Sequence, residues 1–373
     1  MRPYHLLLLT TGYCWAWSSQ PLFTHLKYLK TTSPSTLWNV PPPAETDIEA
    51  FKSFASKQPP PSSFFELQQD CQRAVRLARR DGHQLLEIEL PPLPASVLEM
   101  DDVSSYEVSL ANLNLAIDFS KGMLAGSSDQ DDDQKLKKIA ILFPDQAEAE
   151  IAMDKIGSYN PYPGIVISSL LSADENDDRV FKPEQIFLNL MGQREGQVKP
   201  IEDADMYIIL TASAQELPDV EVLTQLDPTK TFVFFNLKLD VLRGDLGAPA
   251  FPKKEFQDRF LSRIKPVYYL RTRQYTRSTP RPPFMVNFQG CLFRSYPGQY
   301  QTLLDTGTGR YRRVLGNDIR PALGTFKQQL TDELKEQGVL EDEGNTLNFL
   351  RTGYKTTTWW EEERPDASNE WLT

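Results

Sequence analysis

The stretch "KKIAILFPDQAEAEIAMDKIG", residues 137–157, changes periodicity across a single turn. Ile139–Phe143 is an unbroken apolar run with the length and branching of a strand covered on both faces, which is the pattern of a parallel sheet. Asp145 and Glu148 follow at capping-box spacing, and Ala147, Ile151, Ala152 and Ile156 mark the expected buried side of a helix. A doubly covered strand running straight into a helix is half of a βαβ unit, so this stretch decides for an α/β fold.

The same alternation extends outward in both directions. On the amino-terminal side, "SSFFELQQDCQRAVRLARRDG" (62–82) places Phe64, Leu67, Cys71, Ala74, Val75 and Ala78 on one helical face, opened by Ser63 and Glu66 and closed by Gly82. "QLLEIEL" (84–90) reads as a strand, and a helix follows near Ser105–Leu124. On the carboxyl-terminal side come strands in "GIVISSL" (164–170), "DMYIILT" (205–211) and "TFVFFN" (231–236), with a short helix near 214–226. A helix around 254–264, strands in "PVYYL" (266–270) and "GCLFRSYP" (290–297), and a long helix follow. That last helix is expected to start near Asn317 and to bury Ile319, Leu323, Phe326, Leu330 and Leu334. The fold expected is a mostly parallel, three-layer, Rossmann-like sheet with a strand-rich carboxyl-terminal portion, where residues 265–311 add an antiparallel edge.

The domain organisation expected is a signal peptide at 1–18, a transit-like and proline-rich disordered spacer at 19–61, one α/β domain at 62–366 and a tail at 367–373. Arg2 precedes an apolar stretch from Leu6 to Trp17, too short to span a bilayer, and the region after it is rich in Ser and Thr and free of acidic residues up to Glu45. A signal peptide followed by a transit-like stretch resembles the bipartite leader of algal plastids enclosed by extra membranes, and a plastid destination is the expectation. Plain secretion is the competing destination, disfavoured by the low cysteine count.

Composition narrows the chemistry. Forty Lys+Arg against 51 Asp+Glu leave a net charge of -11, which argues against general nucleic-acid binding. The histidines are His5, His25 and His83, and beyond the leader only His83 remains, so multi-histidine zinc schemes are nearly ruled out and a Ser-His-Asp triad would have to rest on that one residue. No Gly-Lys dipeptide and no G-x-G-x-x-G after a strand is present, so no nucleotide cofactor is expected. The acidic runs "DQDDDQ" and "DENDDR" lack the Gly and Glu of a calcium loop, and no metal is expected.

Two candidate sites remain. In an open α/β sheet ligands sit beyond the carboxyl ends of the strands, so Asp145, Ser168, Ser169, Thr211 and Asn236 line one crevice if their strands are parallel neighbours. Helix capping is the competing explanation for the same residues. "LRTRQYTRSTPRPP" (270–283) concentrates Arg271, Arg273, Arg277 and Arg281 with Tyr275, a pattern suited to an anionic lipid headgroup or a protein partner, against the plainer reading of a solvated edge loop. Trp359, Trp360 and Trp371 are expected to pack back onto the domain.

Taken in order, "PPPSSFFELQQDCQRAVRLARRDGHQLLEIELP", "KIAILFPD", "FVFFNLKL", "VYYLR", "FRSYPGQYQ" and "WWEEERP" resemble a chloroplast and cyanobacterial family that carries a domain of unknown function. That family includes the low photosystem II accumulation assembly proteins. The resemblance implies a stromal plastid protein that assists photosystem II biogenesis. With the arginine-rich stretch beside it, the expectation is a non-catalytic assembly or scaffold factor with photosystem II subunits as partners and peripheral thylakoid contact through the arginines. The resemblance carries over no catalytic residues. An enzyme using the strand-end crevice is the alternative class.

Overall fold

The computed structural model describes residues 48–94, 97, 103–126, 135–157, 161–172, 196–245, 254–279, 282–307, 310–340 and 367–373. All of them belong to one compact unit. The helices are α1 (Ile48–Ala55), α2 (Phe64–Arg80), α3 (Ser105–Ala125), α4 (Gln146–Ile156), α5 (Leu217–Leu226), α6 (Leu239–Asp245), α7 (Lys254–Arg259) and α8 (Leu323–Glu336). The strands are β1 (Leu85–Glu89), β2 (Ile139–Phe143), β3 (Ile165–Ser169), β4 (Leu171–Ser172), β5 (Gln197–Val198), β6 (Met206–Ile209), β7 (Thr231–Phe235), β8 (Lys265–Ser278), β9 (Met285–Ser295), β10 (Tyr300–Asp305) and β11 (Tyr311–Asn317).

Nine of these strands form one sheet in the order β11-β10-β9-β8-β1-β7-β6-β2-β3. The run from β3 to β8 is parallel throughout. From β8 to β11 the pairing is antiparallel. The mostly parallel α/β sheet with an antiparallel carboxyl-terminal portion is thus as expected. Burial explains the parallel half: all five residues of β2 and of β7 are buried, because helices cover both faces. One face packs Leu86, Ile88, Ile141 and Val233 against α2, α3 and α4. The other packs Leu142, Tyr207, Phe232 and Phe234 against α5, α6 and α7.

Caps fix where helices begin. The Ser63 hydroxyl accepts from the Glu66 amide, and Asp145 accepts from the Glu148 amide. At α3 the capping box is complete, with Ser104 and Glu107 each accepting from the other's backbone. Gly157 ends α4 at φ 77°, a left-handed geometry that glycine adopts without a Cβ penalty.

Three expectations are corrected. The folded chain includes α1, inside the stretch read as disordered spacer, with Phe51 and Ala55 buried. This strap is tied down by Gln301, whose amide donates to the Gln58 carbonyl at 2.8 Å, and by the Ser56 hydroxyl, which accepts from the Gln299 amide at 3.1 Å. The buried face of α4 is Ala149, Ala152 and Met153, while Ile151 is 55% exposed, so the helix is rotated from the face its apolar residues mark. The last helix begins at Leu323, because residues up to Asn317 are the edge strand β11, and Ile319 is exposed on the link between them. Of the two readings of the arginine-rich stretch, the strand is the one observed: Arg271, Arg273 and Arg277 lie on β8, a 14-residue strand that carries "PVYYL" well past Leu270.

Cys71 and Cys291 are free, buried thiols. Residues 367–373 pack onto the domain as expected for Trp371, which is buried and donates its amide to the Ser262 carbonyl at 3.1 Å. Trp359, Trp360 and Arg281 lie outside the described residues.

Candidate functional site

The carboxyl ends of β3, β2, β6, β7, β1 and the parallel part of β8 share one edge of the sheet, so Asp145, Ser168, Ser169, Thr211 and Asn236 do follow neighbouring parallel strands. The chain leaves β2 towards β3 and leaves β6 towards β7, so the reversal between β2 and β6 is a topological switch point, where α/β sheets place ligands. Asp145 and Thr211 stand at that point.

Their hydrogen bonds run to one another's elements. The Thr211 hydroxyl donates to the Glu148 carboxylate at 2.8 Å, while the Asp145 carboxylate accepts from the Glu148 amide at 2.9 Å. Thr211 holds φ 56°, a left-handed backbone that a β-branched residue adopts only when its surroundings impose it. The Ser169 hydroxyl donates to the Leu171 carbonyl at 2.7 Å, and Ser168 on the next position is half-buried. Asn236, at φ 54°, accepts from the Leu90 amide and donates to the Asn112 side chain, both at 2.7 Å. It ties the end of β1 to α3. Only Asp145 caps the helix that follows its own strand; Thr211 reaches α4 and Asn236 reaches α3, helices that follow neighbouring strands, and Ser169 is tied to β4, so helix capping explains one of these contacts and ties across the sheet explain the rest.

A second constellation on the same edge went unread in the sequence. On β1, Glu87 stands beside Phe234 and Glu89 beside Tyr269, on the sheet face opposite Leu86 and Ile88. This column of carboxylates separates the apolar cluster under α5–α7 from a third cluster, under α8, that contains Tyr269, Tyr300, Phe326 and Leu330. Asp240, in the first turn of α6, closes the seam. It accepts from the Arg320 guanidinium at 2.5 Å and from the Tyr269 hydroxyl at 3.0 Å, with Arg271 at 3.5 Å and Arg273 at 3.8 Å. Arg271 also lies 3.6 Å from Glu89. The Arg320 guanidinium stacks over the Tyr269 ring at 4.5 Å, and that of Arg294 over Tyr300 at 4.6 Å.

Burial dominates the electrostatics of this seam. Loss of water pushes the Glu89 carboxyl up to about 7, against the opposing pull of Arg271, with Glu87 and Asp240 adding repulsion. Burial is the largest single influence on the Arg320 guanidinium and would lower it, but Asp240, Tyr269, Glu87 and Tyr300 together hold it well above its ordinary value. So two of the four candidate arginines, Arg271 and Arg273, are turned inward as counter-charges. The alternation that puts them on one face was legible; their acidic partners were not, since Asp240 lies 31 residues from Arg271 and 80 from Arg320. Among the described residues no group of three or more His, Cys, Asp or Glu is arranged to hold a metal.

A family model described as Domain of unknown function (DUF1995) matches residues 61–328. No curated protein matches the chain, and no solved structure does.

Proposed function

Since the chain belongs to the DUF1995 family over residues 61–328, whose description assigns no activity, we propose that it is a non-catalytic plastid assembly or scaffold factor, with photosystem II subunits as its client. One observation carries the reading. The polar groups at the carboxyl edge, where an enzyme of this architecture holds its substrate, are engaged with each other: Thr211 with Glu148, Asn236 with Leu90 and Asn112, Asp240 with Arg320 and Tyr269. Groups satisfied in this way rigidify the edge. The client and the plastid destination come from the sequence resemblance and the composition of residues 1–61.

The test is affinity capture of the tagged chain from plastid membranes. The expected eluate is enriched in photosystem II subunits over an unrelated stromal protein carrying the same tag. An eluate with equal enrichment in both would sink the proposal.

A second reading, an enzyme of the same edge, has one observation in its favour. Glu89 is a buried carboxyl with its proton affinity near neutrality, 3.6 Å from Arg271, which is the tuning a general acid–base group requires. Under this reading a small molecule co-purifies with the wild type and is lost from Glu89→Gln. Under the scaffold reading, capture by Glu89→Gln equals that of the wild type.

A further inference from the structure

The antiparallel half of the sheet contains a feature that the scaffold reading does not explain. β1 accompanies β8 only as far as Tyr269, and β10 accompanies β9 only between Gly290 and Phe293. The last five rungs of the β8–β9 ladder, from Gln274↔Gln289 to Ser278↔Met285, have no further strand on either side among the described residues. At about 3.4 Å per residue this ribbon reaches roughly 15 Å beyond the sheet. One face is propped by α8, where the Tyr275 ring lies 5.5 Å from Phe288 and 6.3 Å from Phe326. The other face is uncharged, with Thr272, Gln274, Thr276 and Ser278 all exposed.

At the tip, Pro282, Pro283, Phe284 and Met285 are consecutive and exposed, Phe284 at 65% and Met285 at 53%. Four apolar residues in a row at the end of a projecting ribbon are a standing cost in water and mark a contact. The charge around them is equally one-sided. From Lys265 to Leu304 the sequence holds no Asp or Glu, while the whole chain carries a net charge of -11. Arg277 lies on the ribbon's propped face, and the ammonium of Lys327 on α8 sits 5.4 Å from the Tyr275 ring.

We propose that this tip is a membrane anchor: Phe284 and Met285 enter the interfacial layer of a bilayer whose anionic headgroups face Arg277 and Lys327. Shape decides between a bilayer and a protein as the occupant. A stable protein interface covers about 800 Å² on each partner and needs a complementary surface. Two protruding side chains provide far less, but a bilayer receives a convex apolar tip with no preformed pocket, and its negative surface potential attracts the cations behind it. The inference holds whichever client the chain serves, because β8 carries the tip beyond the carboxyl edge and past the residues engaged there.

The test is co-sedimentation of the full chain with vesicles of phosphatidylcholine alone and of phosphatidylcholine with 30% phosphatidylglycerol, a composition of roughly that anionic content being enough to set up the surface potential. The expected result is binding to the anionic vesicles that falls at least about tenfold in Phe284→Ser/Met285→Ser, given the transfer free energy of two apolar side chains. Arg277→Gln with Lys327→Gln is expected to lose several-fold on anionic vesicles and nothing on neutral ones. Both positions at the tip are exposed, so an unchanged thermal unfolding curve confirms that the variant is folded. Wild-type protein left in the supernatant, or a double-serine variant that sediments as well as the wild type, overturns the proposal. So does a tip variant that loses a protein from a plastid pull-down while vesicle binding is absent, which would make the tip a protein-docking surface.

Discussion

The two halves of the sheet use their strands differently. In the parallel half, β2, β6 and β7 are four or five residues long, buried on both faces, and the residues just past their ends are tied to α4 and α3. In the antiparallel half, β8 and β9 run for 14 and 11 residues, are buried at the base and emerge into solvent at the tip. The first arrangement makes stability and the second makes reach. Between them, on one face of the sheet, lies the charged seam of Glu87, Glu89, Asp240, Arg271, Arg273 and Arg320, where ion pairs join the two halves, while on the other face one apolar cluster runs through Ile88, Val267 and Phe293.

The most severe way to break that junction is Asp240→Ala. Arg320, 6% exposed at its side chain, would then be left buried without its carboxylate, and removing one partner of a buried pair costs about 3–5 kcal/mol. Urea unfolding of the variant against the wild type measures this. A loss below about 1 kcal/mol would show that Glu89 and Glu87 take over the charge and that the seam is redundant.

A milder probe of the same junction is pH. The Glu89 carboxyl is raised from 4.5 to about 7, so the folded chain holds a proton that the unfolded chain releases. Its contribution is fully present below about pH 4.5 and is lost as the pH rises through about 7. The difference amounts to roughly 3 kcal/mol at ~1.4 kcal/mol per unit. Glu89→Gln, which cannot ionise, is expected to lose less stability than the wild type between pH 5 and 8 by about that amount. Parallel curves for the two proteins would place the proton elsewhere.

The sequence exposed these regions unequally, for a physical reason. A strand covered on both faces must be apolar throughout, so "IAILF" and "TFVFF" announce themselves. "LLEIE" alternates instead, which is the pattern of a half-exposed strand, and the burial of Glu87 and Glu89 depends on arginines far away in the chain. The outer part of β8, "RTRQYTRS", is polar on both faces, and only its Arg and Tyr positions are half-buried, so no apolar stripe marks it as a strand. β11, "YRRVLGN", is an edge strand whose Arg312 is drawn to Glu333 of α8 at 3.2 Å, and charge on such an edge discourages further pairing while hiding the strand from a hydrophobic reading. At the candidate site the residue types were legible, but their partners were not. Asp145 and Glu148 are three apart, whereas Thr211 reaches Glu148 across 63 residues.

Where the ribbon leaves the sheet, Gly290 sets the spacing to α8. A Cβ there would meet the Leu330 methyl at 2.4 Å and the Leu303 carbonyl oxygen at 2.9 Å. Gly290→Ala is expected to cost about 1–3 kcal/mol, the range for forcing a methyl into a packed contact. Thermal unfolding gives the answer, and no shift would mean that α8 moves freely over the foot of the ribbon.

Farther out the expected effect is the smallest, and its smallness is informative. The Thr276 hydroxyl donates to the Asn287 side chain at 2.8 Å on the exposed face, a cross-strand pair with water on all other sides. Such pairs contribute about 0.2–1 kcal/mol, and solvent competition keeps an exposed one near the lower end. Thr276→Ala should therefore shift the denaturation midpoint by an amount equivalent to about 0.5 kcal/mol or less. The parallel half would not forgive a comparable truncation: Ile141→Ala removes a fully buried side chain, where the usual loss is about 2–5 kcal/mol. The exposed face of the ribbon adds little to stability, in contrast with the face packed on Phe326 of α8. If Thr276→Ala instead cost more than about 1 kcal/mol, the ribbon would belong to the cooperative core, and the division between a stabilising half and a reaching half would fail.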